Sequence, residues 1–297
     1  MVRDGLVVWL DGKDNTNTGT YDENASTWIN KMNPSYNWNL YNSFWQENGV
    51  HFNGNLSGMR LNNINPFAYN KMTFEIQIMF NNLELDRIQW IMGIQPHNNY
   101  EGNVSFYLYE KKFWFKIAIG GTWHYLSSNS IELLNDKKYL ITATIKGGEI
   151  NLYIDGQLIQ SENAIQGSPS FGERFVLGDY SRYNGYYGNN GFVGNIYDFK
   201  VYNKCLTQEE IDENYYYYIY HGNPPAKEDI PGANNYLISR IQNKNQVYNI
   251  KDTVARVEKI DKYENSTVTG IVDFYNGLQI QGAYVRYDQE TNTIIFE

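Results

Sequence analysis

Two acidic runs and one aromatic loop are where this sequence sets reactive or recognising side chains close together. The acidic runs are Glu84-Leu85-Asp86-Arg87-Ile88-Gln89 and Glu210-Ile211-Asp212-Glu213. Cleaving a glycosidic bond takes two carboxyl groups that flank it from one face, one as acid and one as nucleophile or base. The first run ends in Gln89, an amide that can neither donate a proton nor attack at neutral pH. The second run falls in a stretch with helix-capping signals, so its carboxylates should point around a cylinder. Both runs read as surface charges. The four histidines, His51, His97, His124 and His221, lack metal-ligand spacing. No glycine-rich loop joins a strand to a helix, so phosphate binding is unsupported. Catalysis is not expected. The aromatic loop is Tyr180-Ser181-Arg182-Tyr183-Asn184-Gly185-Tyr186-Tyr187-Gly188-Asn189-Asn190. Rigid amphipathic rings beside adaptable amides are the chemistry of recognition loops. Tyr180, Tyr183, Asn184, Tyr186, Tyr187 and Asn189 are therefore the predicted ligand contacts, with Trp114 and Trp123 as stacking platforms. The same composition also suits a plain connection whose tyrosines lie against the strands beside it.

The elements that must position these residues are strands. Met72 to Phe80 alternates cleanly, with Met72, Phe74, Ile76, Ile78 and Phe80 expected to face inward. Gly5 to Leu10 should be a short strand with Leu6, Val8 and Leu10 on one face and Val7 and Trp9 on the other. Trp90 to Ile94, Val104 to Tyr109 and Phe113 to Ile119 follow, the last two joined by a tight turn at Glu110-Lys111-Lys112. Tyr139 to Gln160 reads as two hairpins in series, turning at Lys146 to Glu149 and at Asp155-Gly156, a dipeptide favoured in type I′ turns. Val176 to Asp179 is a strand leading into the aromatic loop. Phe192 to Tyr202 alternates, placing Val193, Asn195, Tyr197, Phe199 and Val201 on one face and Ile196, Asp198, Lys200 and Tyr202 on the other. Thr207-Gln208-Glu209-Glu210 is a capping-box pattern that opens a short helix.

Composition narrows the function. Net charge is −9 and the sequence pI near 5.0, which argues against nucleic acid or anionic lipid as partner. Aromatic residues make up 16% of the chain, well above ordinary usage, so some rings are available for ligands once a β core is filled. The single cysteine, Cys205, excludes an internal disulfide and reads as a small buried hydrophobe at a strand end. The apolar run near the N-terminus, LVVWL, is too short for a signal-peptide core, and no apolar stretch approaches the ~18 residues of a membrane span. Synthesis in the cytoplasm without a secretion address is expected, with no membrane insertion.

Several ordered motifs carry a family resemblance. The closing stretch Gly191 to Ile211, F-x-G-x-I-x-x-x-x-x-Y-x-x-x-L-T-x-x-E-I, resembles the last strand and helix of laminin-G-like domains of the concanavalin A-like superfamily. Leu152-Tyr153-Ile154-Asp155-Gly156 resembles their L-Y-V-D-G signature, and Tyr139 to Thr142 the strand before it. Trp28 to Lys31 and Gly49 to Gly54 resemble the opening of the same family, with Asn30 and Asn53 where it often has Asp. The resemblance implies an all-β fold: an antiparallel β-sandwich jelly roll over residues 1–220, then a linker at 221–232, marked by Pro224-Pro225, and a small mainly-β region with one short helix at 233–297. It also implies that the Tyr180–Asn190 loop rims a binding face. Calcium on the loop side of the sandwich is a family habit, and Asp11, Asp14 and Asp179 are the loop carboxylates that could hold it. Some enzymes of the superfamily carry E-x-D-x-x-E on one strand; Gln89 stands where the last acid would be.

The C-terminal region resembles something else. Val247-Tyr248-Asn249-Ile250-Lys251-Asp252-Thr253-Val254-Ala255-Arg256 is similar to the Y-D-I-K-D-x-x-A-R segment of bacteriophage tail-fibre and baseplate proteins. The ending, from Asn276 to Phe296, shares their rhythm. Strands are expected at Tyr236 to Ile241 and Val247 to Ile250, a helix capped by Asp252, and two or three strands from Gly270 onward with a turn at Asp288 to Asn292. A short apolar stripe cannot stabilise so small a region alone, and phage fibres are commonly trimers, so self-association is expected. The reading that results is a non-enzymatic phage tail or phage-tail-like bacteriocin component, part of the virion and released by lysis. It would bind a bacterial surface glycan or wall polymer beside other tail or baseplate proteins. The alternatives are a purely structural tail, baseplate or decoration subunit, a free lectin, and a degenerate glycoside hydrolase.

Overall fold

Strand alternation builds the frame. In the computed structural model the described residues are 1–54, 57–61, 70–95, 104–169, 171, 174–178 and 190–219, together with four C-terminal strands at 271–274, 278–281, 285–288 and 293–296. Along β7 (Lys71–Phe80), Met72, Phe74, Ile76, Ile78 and Phe80 are all fully buried, as the alternation requires. This strand is central to the first of two eight-stranded sheets. Its order is β14 (Gln157–Glu162), β13 (Glu149–Ile154), β12 (Lys138–Lys146), β7, β16 (Val193–Tyr202), β5 (Gly49–Asn53) and β4 (Phe44–Gln46), with β1 (Leu6–Asp11) paired to β16. The second sheet runs β11 (Thr122–Ser127), β10 (Lys112–Ile119), β9 (Val104–Tyr109), β8 (Gln89–Gln95), β15 (Arg174–Leu177), β6 (Gly58–Leu61), β3 (Trp38–Tyr41) and β2 (Thr27–Trp28). Strand pairs are antiparallel, and neighbours such as β7–β16 and β8–β15 are far apart in sequence, which is a jelly-roll sandwich. Between the sheets lies one continuous apolar core that includes Trp28, Trp38, Phe52, Phe106, Phe115 and Phe199.

Turn chemistry matches the expected hairpins. Asp155 and Gly156 have φ of 51° and 78°, and Glu110 and Lys111 have φ of 51° and 61°, so both loops turn with the strand twist. Two strands depart from simple alternation, and both for the same reason. The pairing of β1 with β16 slips between Leu6 and Val8, so Leu6 joins Trp9 on the outer side while Val8 and Leu10 enter the main core. The pairing of β16 with β7 slips between Ile196 and Asp198. Ile196 therefore shares the core face with Phe199 and Val201, and Asn195 leaves it. A bulge inserts one residue and inverts the parity of everything beyond it.

The outer face of the first sheet is covered. Helix α1 (Gln208–Ile219) opens with the expected capping box: Glu210 N donates to Thr207 Oγ1 at 3.3 Å, and Thr207 N donates to Glu210 Oε2 at 3.0 Å. Val2, Leu6, Trp9, Tyr153, Tyr202, Leu206 and Ile211 form a second apolar cluster there. Beside it runs a buried charge network. Lys200 Nζ lies 3.1 Å from Glu75 Oε1 and also pairs with Asp198, whose other oxygen accepts from Trp9 Nε1 at 2.9 Å. Asn214 of α1 donates to Glu75 Oε2 at 3.0 Å and to Tyr202 Oη at 2.9 Å.

The chain divides into two compact units, Met1–Ile219 and Tyr220–Glu297. In the second unit the described strands form two hairpins: β17 (Ile271–Phe274) with β18 (Leu278–Gln281), and β19 (Val285–Asp288) with β20 (Thr293–Phe296). The expected strands at 236–241 and 247–250 and the helix after Asp252 lie outside the described residues.

Candidate functional site

The outer face of the second sheet is built differently. Phe113, Phe115 and Ile117 of β10 point into the core, so Trp114, Lys116 and Ala118 alternate outward. Register then sets the rows across the strands. Ser127 of β11, Trp114 of β10, Tyr107 of β9 and Trp90 of β8 form one row. Tyr107 and Trp114 lie parallel with centroids 6.1 Å apart, and Trp90 sits 5.2 Å from Tyr107 on its other side. The next row is Tyr125, Lys116, Ser105, Gly93, Val176, Arg60 and Asn39. Its middle is small, and the buried Ser105 hydroxyl has no hydrogen-bond partner. Lys116 Nζ lies 4.0 Å over the ring of Trp123 and 5.7 Å from that of Tyr125. Tyr125 is 43% exposed, a large value for an aromatic ring on a sheet. Tyr109 stands at the edge of this face, where the neighbouring Glu110 carboxylate raises its phenol pKa.

The predicted platforms, Trp114 and Trp123, are both on this face but not side by side. Four residue steps of β10 separate Trp114 from Ala118, the partner of Trp123, or roughly 13 Å. The predicted loop contacts Tyr180, Tyr183, Asn184, Tyr186, Tyr187 and Asn189 lie outside the described residues, as does Asp179. The two ends of that loop are described. Gly178, with φ of 86° and a Phe52 ring atom 2.1 Å from where a Cβ would stand, donates its N–H to Ile91 O at 2.8 Å. At the other end Trp90 N donates to Asn190 O at 2.9 Å. The loop thus departs from and returns to the strands that carry the Trp90 end of the aromatic row. Sequence reasoning missed Trp90, Tyr107, Tyr109, Lys116 and Tyr125. The signal for some of them was legible: Tyr107-x-Tyr109 and Trp114-x-Lys116 alternate against the apolar Leu108 and Phe115, whereas Trp123-x-Tyr125 encloses His124 and gives no such contrast.

The predicted metal carboxylates carry a different partner. Lys31 Nζ sits 3.1 Å from Asp11 Oδ2 and 2.7 Å from Asp14 Oδ2. The remaining oxygens are also taken: Asp11 Oδ1 accepts from Lys13 N at 3.0 Å, and Asp14 Oδ1 from Thr18 N and Gly19 N at 2.8 Å each. As arranged, this pair does not fit a divalent cation, because an ammonium already occupies the place between the carboxylates. Burial opposes ionisation of Asp14, but Lys31 and the loop amides outweigh it and hold its carboxyl below the usual range. Asn30 Oδ1 accepts from Trp9 N at 3.0 Å and Met32 N at 3.1 Å, a structural role. Among the described residues no group of three His, Cys, Asp or Glu side chains is placed to hold a metal.

The acidic runs are not wholly surface charge either. Gln89 is fully buried, donating to Asn82 O at 2.7 Å and accepting from Val193 N at 3.1 Å. Both halves of the amide are spent, Nε2 on the loop that follows β7 and Oε1 on the start of β16. Glu84 is exposed and pairs with Lys111. Asp212 is buried and accepts from Gln208 Nε2 at 2.8 Å, because α1 turns that side toward the sheet. Cys205 is half-buried at the end of β16, and burial pushes its thiol pKa up, which makes it a weak nucleophile. No described helix is long and apolar enough to cross a membrane.

Comparison with known proteins bears on the fold. Residues 53–212, more than half of the chain, match the laminin-G-type family described as the concanavalin A-like lectin/glucanases superfamily. No curated protein matches. Among solved structures, the binding domain of botulinum neurotoxin serotype D superposes with a TM-score of 0.54 at 17% identity, covering 71% of this chain and 51% of that one. The sialidase of Trypanosoma rangeli in complex with sialic acid gives 0.57 at 17% identity, covering 74% and 34%. This chain thus spans about half of the first relative and a third of the second. The motifs around Leu152–Gly156 and Gly191–Ile211, the jelly-roll order and the matched span agree: this chain belongs to the concanavalin A-like lectin/glucanase superfamily.

Proposed function

We propose that this protein is a non-enzymatic glycan-recognition component of a bacteriophage tail or phage-tail-like bacteriocin, which binds a polymer of the bacterial surface. The observation that carries the recognition reading is the outer face of the second sheet. It carries Trp90, Tyr107 and Trp114 in one row and Tyr125 and Lys116 in the next, with a Tyr/Asn/Gly loop anchored at the Trp90 end. Ring faces stack on the C–H faces of sugars, and Tyr125, 43% exposed, is the ring of this face that water reaches most. Two structural neighbours have recognition in their descriptions, a toxin binding domain and a sialidase with sialic acid, but at 17% identity they support the fold alone. The non-enzymatic reading rests on Gln89, an amide where an acid would be needed, with both its ends bonded to backbone groups of Asn82 and Val193. The phage assignment rests on the Val247–Arg256 segment and the ending of the chain, with release by lysis and residence in the virion following from it.

The test is binding of the purified protein to intact bacteria and to isolated wall glycan. The full chain should bind, and Trp114→Ala should weaken binding about fivefold, the equivalent of ~1 kcal/mol for one lost stack. Alanine at Tyr186 and Tyr187 together should weaken it at least as much. A protein that binds neither cells nor glycan is a purely structural subunit. Labelling of lysis-released particles with an antibody to this chain tests the phage assignment, and unlabelled particles would refute it.

A further inference from the structure

The cover on the outer face of the first sheet stops short of one row. Helix α1 ends at Ile219, and Tyr218 of its last turn lies against Gln77. The next outward row crosses five strands: Lys138 of β12, Met79 of β7, Asn195 of β16, His51 of β5 and Phe44 of β4, each paired in register with the one before. At the usual strand spacing this row is roughly 19 Å long. Both of its ends meet water, since Lys138 is exposed and Phe44 is 52% exposed.

The groups along the row differ in kind. The Phe44 ring lies 4.9 Å from that of His51. His51 Nδ1 is 2.9 Å from Asn195 Oδ1, an acceptor, so Nδ1–H donates and the neutral ring keeps a lone pair on Nε2. At the other end the Lys138 ammonium lies 3.8 Å over the ring of Tyr197, whose hydroxyl donates to Met79 Sδ at 3.7 Å. Lys31, Lys111, Lys200 and Lys204 each meet a carboxylate. Among the described residues Lys138 has no such ion pair, and neither does Lys13 on the short turn Gly12–Asp14. Burial lowers the Lys138 pKa, Glu47 opposes that, and Lys13 is near enough to lower it further.

Unpaired ammonium groups, an imidazole lone pair and an exposed ring in one line suit one class of ligand. An acid group can meet Lys138 and Lys13, a hydroxyl can donate to His51, and the C–H face of a further sugar can stack on Phe44. A peptide strand fits less well, because the row crosses a sheet face whose backbone groups are already paired. Nucleic acid fits less well against a net charge of −9. We propose that this row is a binding track for an extended acidic glycan, with an acid group at Lys138 and Lys13 and a sugar face on Phe44. The track shares no residue with the second sheet, so it stands whether or not that face binds glycan.

The experiment is calorimetric titration of the full chain, at low salt, with oligogalacturonate and with its neutral methyl ester. The acid form should bind, and the ester should bind about tenfold more weakly. Lys138→Gln should weaken binding of the acid form about tenfold, Lys138→Arg should keep most of it, and Phe44→Ala should weaken it about fivefold. Lys146→Gln removes the same charge from the far end of β12 and should change nothing. All seven tryptophans lie before residue 220, so their fluorescence checks that the sandwich stays folded in every variant. No binding of the acid form, equal binding of acid and ester, or equal effects of Lys138→Gln and Lys146→Gln would each overturn the proposal. Full displacement of the oligomer by an equal concentration of inorganic phosphate would also overturn it, since a site for a lone anion would then suffice.

Discussion

The two outer faces of this sandwich begin from the same alternation and end in opposite states. On the first sheet, the outward residues of β7 and β16 include Thr73, Glu75, Asp198 and Lys200, and α1 with residues 1–9 closes over them. Every charge there has a partner: Glu75 with Lys200 and Asn214, Asp198 with Lys200 and Trp9. On the second sheet the outward residues are Trp114, Tyr107, Trp90, Tyr125 and Lys116, and no described helix covers them. Polar groups are buried where a helix satisfies them, and the second face carries rings that pack on one another, with Tyr125 the most exposed of them.

That contrast can be broken by substitution. The largest effect should come from Lys200→Met. It leaves Glu75 and Asp198 buried without their shared cation, at a cost of about 3–5 kcal/mol in denaturant unfolding. A loss under ~1 kcal/mol would mean that the network is incidental to stability. Next comes pH. Burial raises the Asp198 carboxyl to about 6, with Lys200 and Trp9 only partly offsetting it. Between its ordinary pKa of 3.8 and about 6 the folded protein therefore holds a proton that the unfolded chain releases. The stability from Asp198 is full below the lower value and is lost as pH rises through the upper one. Unfolding curves across this range should slope downward for wild type relative to Asp198→Asn, and parallel profiles would contradict the assignment.

Smaller effects sharpen the same contrast. Thr207→Ala removes the cap of α1 and should cost ~1 kcal/mol of stability while leaving glycan binding intact. Trp114→Ala should do the reverse, changing melting little but weakening binding about fivefold. If it destabilises as much as the cap variant and leaves binding alone, the second face is structural too. EDTA should have the smallest effect. Lys31 already bridges Asp11 and Asp14, so melting should not move. A clear drop in melting temperature would place a metal on other ligands.

Much of this molecule is legible from residue order. Met72 to Phe80 has the period of a strand, Asp155-Gly156 the φ preference of a type I′ turn, and Thr207 to Glu210 a reciprocal cap; each depends on neighbours within a few residues. The misreadings share one cause. Leu6, Asn195 and Ile196 were assigned to faces by counting in twos, and a bulge in β1 and another in β16 inverted the count. The carboxylates were misread for a related reason. Nothing near Asp14 in sequence says that Lys31 will return between it and Asp11, or that Gln89 will fasten two strands.

The chain order alone determined the central strands, the hairpin turns and the helix cap, because local periodicity and turn preference act over a few residues, while the class of fold was carried by the resemblance of the motifs around Leu152–Gly156 and Gly191–Ile211 to a known family. Tertiary structure decided which outward face the described helix covers and which residues share a row. Whether Trp90, Tyr107 and Trp114 form a row depends on the register of three strands, set by the packing of two sheets rather than by any one segment. The same packing sends the Asp11–Asp14 pair to Lys31 and buries Glu75 beneath α1, since a charge can leave water only where a distant partner meets it.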